Sequence, residues 1–318
     1  MRAQRASKPP HLTAGPVAAV DCGTNTLKLL IGSFGDGALD VAVRESRMVR
    51  LGQGVDRTGR LADEALARAF AAIDEYAALV RDHGVPPGRT RFCATSATRD
   101  AANGAVFTTG VRERLGVTPD VLSGDEEAAL AYVGAMRGLA YDPAEPVLVL
   151  DVGGGSTEVI LGGGEGVRAA ASMDVGSVRL HERHVRHDPP TAGEVVAIEG
   201  DVDDALDGCG VPLGEAVTVV GIAGTCTTLG AAVLDLPRYD PDAVHGSVHD
   251  VADVRATIER VVGMTVEQRL ALPYLHPGRA DVIDAGLLVV ARVLARTPVD
   301  QFTVSEADLL EGIAWSLA

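Results

Sequence analysis

The residues of this chain best suited to chemistry fall in two short turns built alike. Val17-Ala-Ala-Val20 runs into Asp21-Cys-Gly-Thr-Asn-Thr26, and Pro146-Val-Leu-Val-Leu150 runs into Asp151-Val-Gly-Gly-Gly-Ser-Thr157. Each is an apolar strand, an Asp-x-Gly turn and a return strand, a different device from the strand–loop–helix of a Walker loop. Gly23, Gly153, Gly154 and Gly155 let backbone N–H groups come close to phosphate oxygens. The hydroxyls of Thr24, Thr26, Ser156 and Thr157 and the amide of Asn25 add donors. A single Asp-Gly turn reads as a hairpin. Two of them after apolar strands, the second continuing to Glu158, point to phosphate gripped from two sides.

The turn aspartates are acceptors and cannot bind phosphate directly. Asp151 suits Mg²⁺ (or Mn²⁺), with Glu158 across the hairpin as a second carboxylate. Mg²⁺ takes one or two carboxylates and fills its other positions with phosphate oxygens and water. Asp21 is placed to hold a water in the outer shell of that metal. In Ser123-Gly-Asp-Glu126-Glu127, Ser123 and Glu126 match a Ser-x-x-Glu capping box, which leaves Glu127 without a local task. Glu127 shares a helical face with Leu130, Ala131 and Gly134. Two readings stay open: it favours the helix N-terminus electrostatically, or it is a base raised in pKa by burial beside a cleft.

Ala94-Thr-Ser-Ala-Thr-Arg-Asp100 follows a strand and starts a helix. Its first amides, with Thr95, Ser96, Thr98 and Arg99, form either an anion site or an ordinary N-cap beside a solvated arginine. His181, His184 and His187 recur every three residues. They suggest a metal cluster or, preferably, a solvated helical face shared with Arg179, Arg183 and Arg186. His245 and His249 flank a Gly-Ser loop and carry no assignment.

The elements that must position these groups are legible from periodicity. Strands are expected at Val17–Val20, Leu27–Phe34 and Leu39–Leu51, with hairpin chemistry at Gly35-Asp-Gly37. Leu66, Ala69, Phe70, Ile73, Ala77 and Val80 mark a helix over Leu61–His83. A strand at Arg91–Thr95, a helix over Ser96–Leu115, a strand at Thr118–Leu122 and a helix from Ser123 to Leu139 complete one half. The other half has strands at 146–150, 159–161, 167–172, 217–220 and 302–304. Its helices fall near 177–186 and 191–206, through most of 251–295, and at 307–317. The same opening returns at Asp21 and Asp151, so the chain reads as a remote duplication facing one cleft. The expected division is a frayed tail at 1–15, a first domain at 16–140 and a second at 141–318. The last helix, about 306–318, is expected to pack back on the first domain.

Composition sets limits. A chain of 318 residues, 47% of them hydrophobic, can bury two cores. The net charge of −16 argues against a nucleic acid or an anionic membrane as partner. A compact phosphate site built from amides, one or two arginines and a divalent cation remains compatible with it. No apolar run is long enough to span a membrane, and the first fifteen residues lack the apolar core of a signal peptide. Cys22, Cys93, Cys209 and Cys226 form no Cys-x-x-Cys and read as thiols of a reducing compartment. The expected location is cytoplasmic. No Gly-x-Ser-x-Gly elbow supports a serine hydrolase.

The motifs, in this order, resemble the exopolyphosphatase/guanosine pentaphosphate phosphohydrolase (Ppx/GppA) family in its short two-domain form. The resemblance rests on Val20–Thr26, Ala94–Asp100, Ser123–Ala128, Leu150–Glu158, Gly221-Ile-Ala-Gly-Thr225 and Val304-Ser-Glu-Ala-Asp-Leu-Leu-Glu-Gly312. It implies an α/β fold of two actin-like (ribonuclease H-like, ASKHA superfamily) domains, with mixed sheets around a central cleft. It implies a phosphoric anhydride hydrolase that removes a terminal phosphate from polyphosphate or from guanosine pentaphosphate. Position by position, Glu127 falls on the general base, Asp151 and Glu158 on metal ligands, and Arg99 on a phosphate-binding residue. Lys28 stands where many relatives have Arg or His, and Thr26 where Ser is common; neither removes a donor. The chain ends at Ala318 without the long form's extra helical domain, and its only lysines are Lys8 and Lys28. Short-chain polyphosphate is therefore the expected substrate. Two rivals share the fold: a sugar or acid kinase, and a non-catalytic regulator that binds guanosine tetraphosphate or pentaphosphate. The oligomeric state is open, with a homodimer as one outcome.

Overall fold

A computed structural model describes residues 15–318, so the tail expected at 1–15 lies, apart from Gly15, outside the described residues. The first half opens on β1 (Val17–Cys22), β2 (Thr26–Gly35) and β3 (Ala38–Met48), paired antiparallel in succession. After α1 (Val55–Thr58) and α2 (Asp63–Asp82), β4 (Thr90–Ala94) returns parallel to β1. Then come α3 (Ser96–Asp100), α4 (Gly104–Leu115), β5 (Asp120–Val121) and α5 (Gly124–Gly138). The sheet order is β3-β2-β1-β4-β5.

The second half repeats the scheme. β6 (Val147–Val152), β7 (Thr157–Gly163) and β8 (Gly166–Met173) form the antiparallel meander. Next are α6 (Ser177–His184), α7 (Ala192–Gly208) and β9 (Thr218–Ile222), which lies parallel to β6. They are followed by α8 (Ala223–Val233), α9 (Pro241–Val244), β10 (Val248–Asp250), α10 (Val251–Val262), α11 (Val266–Leu270), α12 (Ile283–Ala295), β11 (Gln301–Val304) and α13 (Leu309–Trp315). The order β10-β11-β9-β6-β7-β8 again puts the opening strand beside its hairpin partner on one side and a parallel strand on the other. This is the expected α/β architecture of two mixed sheets.

The opening strands β1 and β6 are buried along their whole length, as parallel pairing and coverage on both faces require. Between the two sheets lie α5 and α13. They cross at Gly134 and Gly312, where a Cβ on either residue would collide with a backbone carbonyl of the other helix, Asp308 O or Leu130 O. Ala128, Ala131, Ala135, Leu309, Leu310 and Ile313 join β1, β4, β6 and β9 in one apolar cluster that links the halves.

The short elements α1, α9 and β10 were not expected from the sequence, and two longer stretches also differ from it. The helix expected over Ser96–Leu115 breaks between α3 and α4. Asn103 there turns its side chain onto both backbone groups of Leu61, an alternative to helical bonding that Asn readily takes. The stretch after β9, rich in Thr and Gly, has weak helix propensity, yet it forms α8. Packing of Cys226, Leu229, Ala231 and Ala232 into the core overrides propensity.

Candidate active site

Both Asp-x-Gly turns close the same way: Gly23 N donates to Thr26 O and Gly153 N to Ser156 O, each at 3.0 Å. They face each other across a cavity of about 90 Å³ at the join of the two halves. The first turn contributes Gly23, Thr24, Asn25 and Thr26, and the second contributes Gly153, Gly154, Gly155 and Ser156. Ser96, at the start of α3, enters from the side, and its hydroxyl meets that of Thr24 at 2.9 Å. Glu127, Asp151 and Glu158 line the same space.

Two residues depart from their expected roles. Thr157 is fully buried and donates its hydroxyl to Val175 O, so it is a structural tie behind the loop and not a phosphate donor. Arg99 does not line the cavity. Its guanidinium donates to Leu122 O at 2.8 Å and to Glu127 Oε2 at 3.2 Å. It therefore grips the proposed base.

Glu126 and Glu127 part as their spacing suggests. Ser123 and Glu126 form the reciprocal capping box, while Glu127, one residue on, is only 5% exposed. Burial, reinforced by the charge of Asp151, lifts the Glu127 carboxyl to about 8, against the pull of Arg99. Asp151 is held well above the ordinary carboxylate range by burial and then by Glu158. Glu158 is pushed up by burial and then by Glu127, although the Ser172 hydroxyl donates to it at 2.6 Å. Asp21 is lifted to about 6 by burial, with Lys28 opposing.

This charge pattern bears on a metal. Asp151, Glu158 and Glu127 concentrate negative charge against the cavity, and Asp21 Oδ1 is buried without a hydrogen-bond partner. Hard oxygen donors of this kind suit Mg²⁺ or Mn²⁺. Among the described residues, no three His, Cys, Asp or Glu side chains form a ready cage. That fits an ion held by one or two carboxylates, with substrate and water supplying the rest.

Several cavity residues had no assigned role in the sequence. Lys28 Nζ lies 2.6 Å from Asp308 Oδ2 and 3.4 Å from Asp21 Oδ2, so it ties β2 to the N-cap of α13. Arg279 and Ser177 also line the cavity, together with Gly224 and Thr225 of α8. Ala223 adopts φ 60° to turn the chain from β9 into α8, a left-handed conformation unusual for alanine. The Gly-Ile-Ala-Gly-Thr motif was the available signal for α8. Arg279, after a Pro-Gly pair, had none. The three histidines do not converge: His181 pairs with Asp284, His184 with Asp201 and His187 with Glu194. Arg179 is not part of a solvated face, since its side chain is only 14% exposed.

The chain is similar to known proteins over nearly its whole length. Residues 30–318 match the model of the Ppx/GppA phosphatase family. The chain belongs to the Ppx/GppA phosphatase family. Exopolyphosphatase 2 of Mycobacterium tuberculosis is 47% identical over 95% of this chain and 98% of its own length. Guanosine-5'-triphosphate,3'-diphosphate pyrophosphatase of Vibrio atlanticus is 28% identical over 94% of this chain, which spans 59% of that protein. Among solved structures, the Ppx/GppA family member of Aquifex aeolicus superposes with a TM-score of 0.80 at 31% identity, covering 95% of this chain and 97% of its own. An exopolyphosphatase-like protein reaches 0.89 at 40% identity, covering 94% and 98%.

Proposed function

We propose that the protein is an exopolyphosphatase that releases terminal orthophosphate from short inorganic polyphosphate by metal-assisted attack of water. The observation that carries this reading is Glu127, a buried carboxylate facing a cavity walled by two phosphate-type loops. The turn amides and the hydroxyls of Thr24, Thr26, Ser96 and Ser156 bind the terminal phosphate and offset charge on its equatorial oxygens. In its ionised form Glu127 takes the proton of the attacking water; Arg99 orients it and favours that form against the opposing effect of burial. Asp151 and Glu158 would hold Mg²⁺ (or Mn²⁺), whose chemistry when bound is to neutralise phosphate charge. The working units are 16–140 and 141–318. We place the protein in the cytoplasm, since its four described cysteines are free thiols, as a reducing compartment keeps them.

A second reading, hydrolysis of guanosine pentaphosphate, has its own support. A larger cavity of about 450 Å³ adjoins the first and shares Lys28 and Arg279 with it. Its walls include Met48, Tyr274 and Pro277, apolar surfaces suited to a nucleoside. Phosphate release from defined-length polyphosphates and from guanosine pentaphosphate, with and without Mg²⁺, separates the two. Glu127→Gln is expected to bind polyphosphate normally and to lower kcat by about 1,000-fold. Turnover within a few-fold of the parent would remove Glu127 from the base role.

A further inference from the structure

The second loop presents its amides because something holds its carbonyls. Ser177 N donates to Gly153 O at 2.9 Å, and Val178 N and Arg179 N donate to Gly154 O at 2.8 and 3.1 Å. The next carbonyl, Gly155 O, accepts from Arg179 Nε at 2.8 Å. In a trans peptide the N–H points opposite to the C=O. With three successive carbonyls drawn toward α6, the N–H groups of Gly154, Gly155 and Ser156 are turned away from it, and these residues line the cavity.

The three carbonyls are not held alike. Those of Gly153 and Gly154 are bound by backbone amides of their own half. That of Gly155 is bound by a side chain whose other nitrogens cross to the first half. Arg179 Nη1 donates to Asp56 Oδ1 of α1 at 2.7 Å, and Nη2 to Asp100 Oδ2 of α3 at 2.5 Å. A guanidinium fork can satisfy one carbonyl and two carboxylates at once, whereas an ammonium is a point donor. At the same place the halves touch, since a Cβ on Gly155 would lie 2.5 Å from Thr24 Oγ1 and 2.6 Å from Ser96 Oγ.

From this geometry we infer that Arg179 is a positioning residue, which aims the Gly155–Ser156 peptide at the terminal phosphate only while the two halves are closed on each other. Asp56 and Asp100 report closure, and the fork passes it to the loop. The amide that stabilises the reacting phosphoryl group is thereby set when the first half, with Glu127, is in place.

This inference rests on the hydrolase reading above, so its test has an arm that needs no turnover. Arg179→Met keeps the aliphatic stem and removes the fork. It is expected to lower kcat for tripolyphosphate about 100-fold, as small misplacements at a reacting centre do, with KM changing less than about threefold. Arg179→Lys should recover only a minor part. The double variant Asp56→Asn with Asp100→Asn should reproduce the loss, and adding Arg179→Met to it should lower kcat no further. Independently, backbone hydrogen exchange at 153–157 should rise in Arg179→Met with the thermal midpoint nearly unchanged. Unchanged exchange at 153–157, or kcat within about threefold of the parent, overturns the assignment. So does a loss of activity that merely follows the folded fraction. If the parent hydrolyses no oligophosphate, the functional reading fails while the exchange result still decides whether Arg179 positions the loop.

Discussion

The two loops that face each other across the cleft share one backbone and carry opposite electrostatics. Asp21 pairs in register with Lys28 across the first hairpin, and Asp151 pairs with Glu158 across the second. In the first, a cation sits between Asp21 and Asp308, and Lys28 stays charged despite its burial because both carboxylates hold its proton. In the second, two buried carboxylates repel, and both are pushed toward protonation. A duplicated strand–turn–strand unit has thus diverged at one register position. One copy has a cation of its own against its aspartate, while the other holds two carboxylates that burial drives toward protonation and that only an external cation would keep ionised. In the proposed mechanism the first would serve as a structural and phosphate-binding wall, and the second as the metal-binding wall.

The largest expected contrast lies in the turn aspartates. Asp151→Asn should lower polyphosphate hydrolysis about 1,000-fold and abolish its dependence on divalent ion concentration. Asp21→Asn should cost about tenfold, as outer-shell changes do. Equal losses in steady-state assays, or equal metal dependence, would erase the proposed division of labour.

Next comes the space each loop leaves. At Gly155 an added methyl has no room between Thr24 and Ser96, whereas at Gly23 its nearest neighbour is Thr26 O at 3.5 Å. Gly155→Ala should lower kcat/KM about 100-fold by holding the halves apart, and Gly23→Ala by about threefold at most. A reversed order would place the tight contact elsewhere.

The smallest effect is on stability. Glu127, raised to about 8, and Asp21, raised to about 6, have folded pKa values above those of free carboxyls. Their contribution to stability is complete below the unfolded pKa and is lost as pH rises through the folded values. Without divalent ions, the thermal midpoint should therefore fall between about pH 4.5 and 8. Added Mg²⁺ should flatten that slope, mainly through the second loop. A midpoint that rises over this range would contradict the charge balance described here.

Much of this was legible in the sequence because it is local. Buried strands ending in Asp-x-Gly show as apolar runs before turn residues, and a capping box needs only Ser123 and Glu126 three apart. Their proximity in the chain fixed the separate fate of Glu127. The duplication was readable for the same reason, since each half opens with its own signal. Helix α8 was hidden because long-range packing, and not local propensity, stabilises it.

What the sequence determined by itself was therefore the two loops, the free glutamate and the family they resemble. Only the tertiary structure decided how their charges are shared. Thr157 turned out to face Val175, Arg99 to hold Glu127, and Arg179 to reach Asp56 and Asp100 from 123 and 79 residues away. The reason is physical: an arginine's donors or a threonine's hydroxyl can be satisfied by any acceptor within about 3 Å. Which acceptor that is depends on how the halves pack, and no spacing along the chain records it.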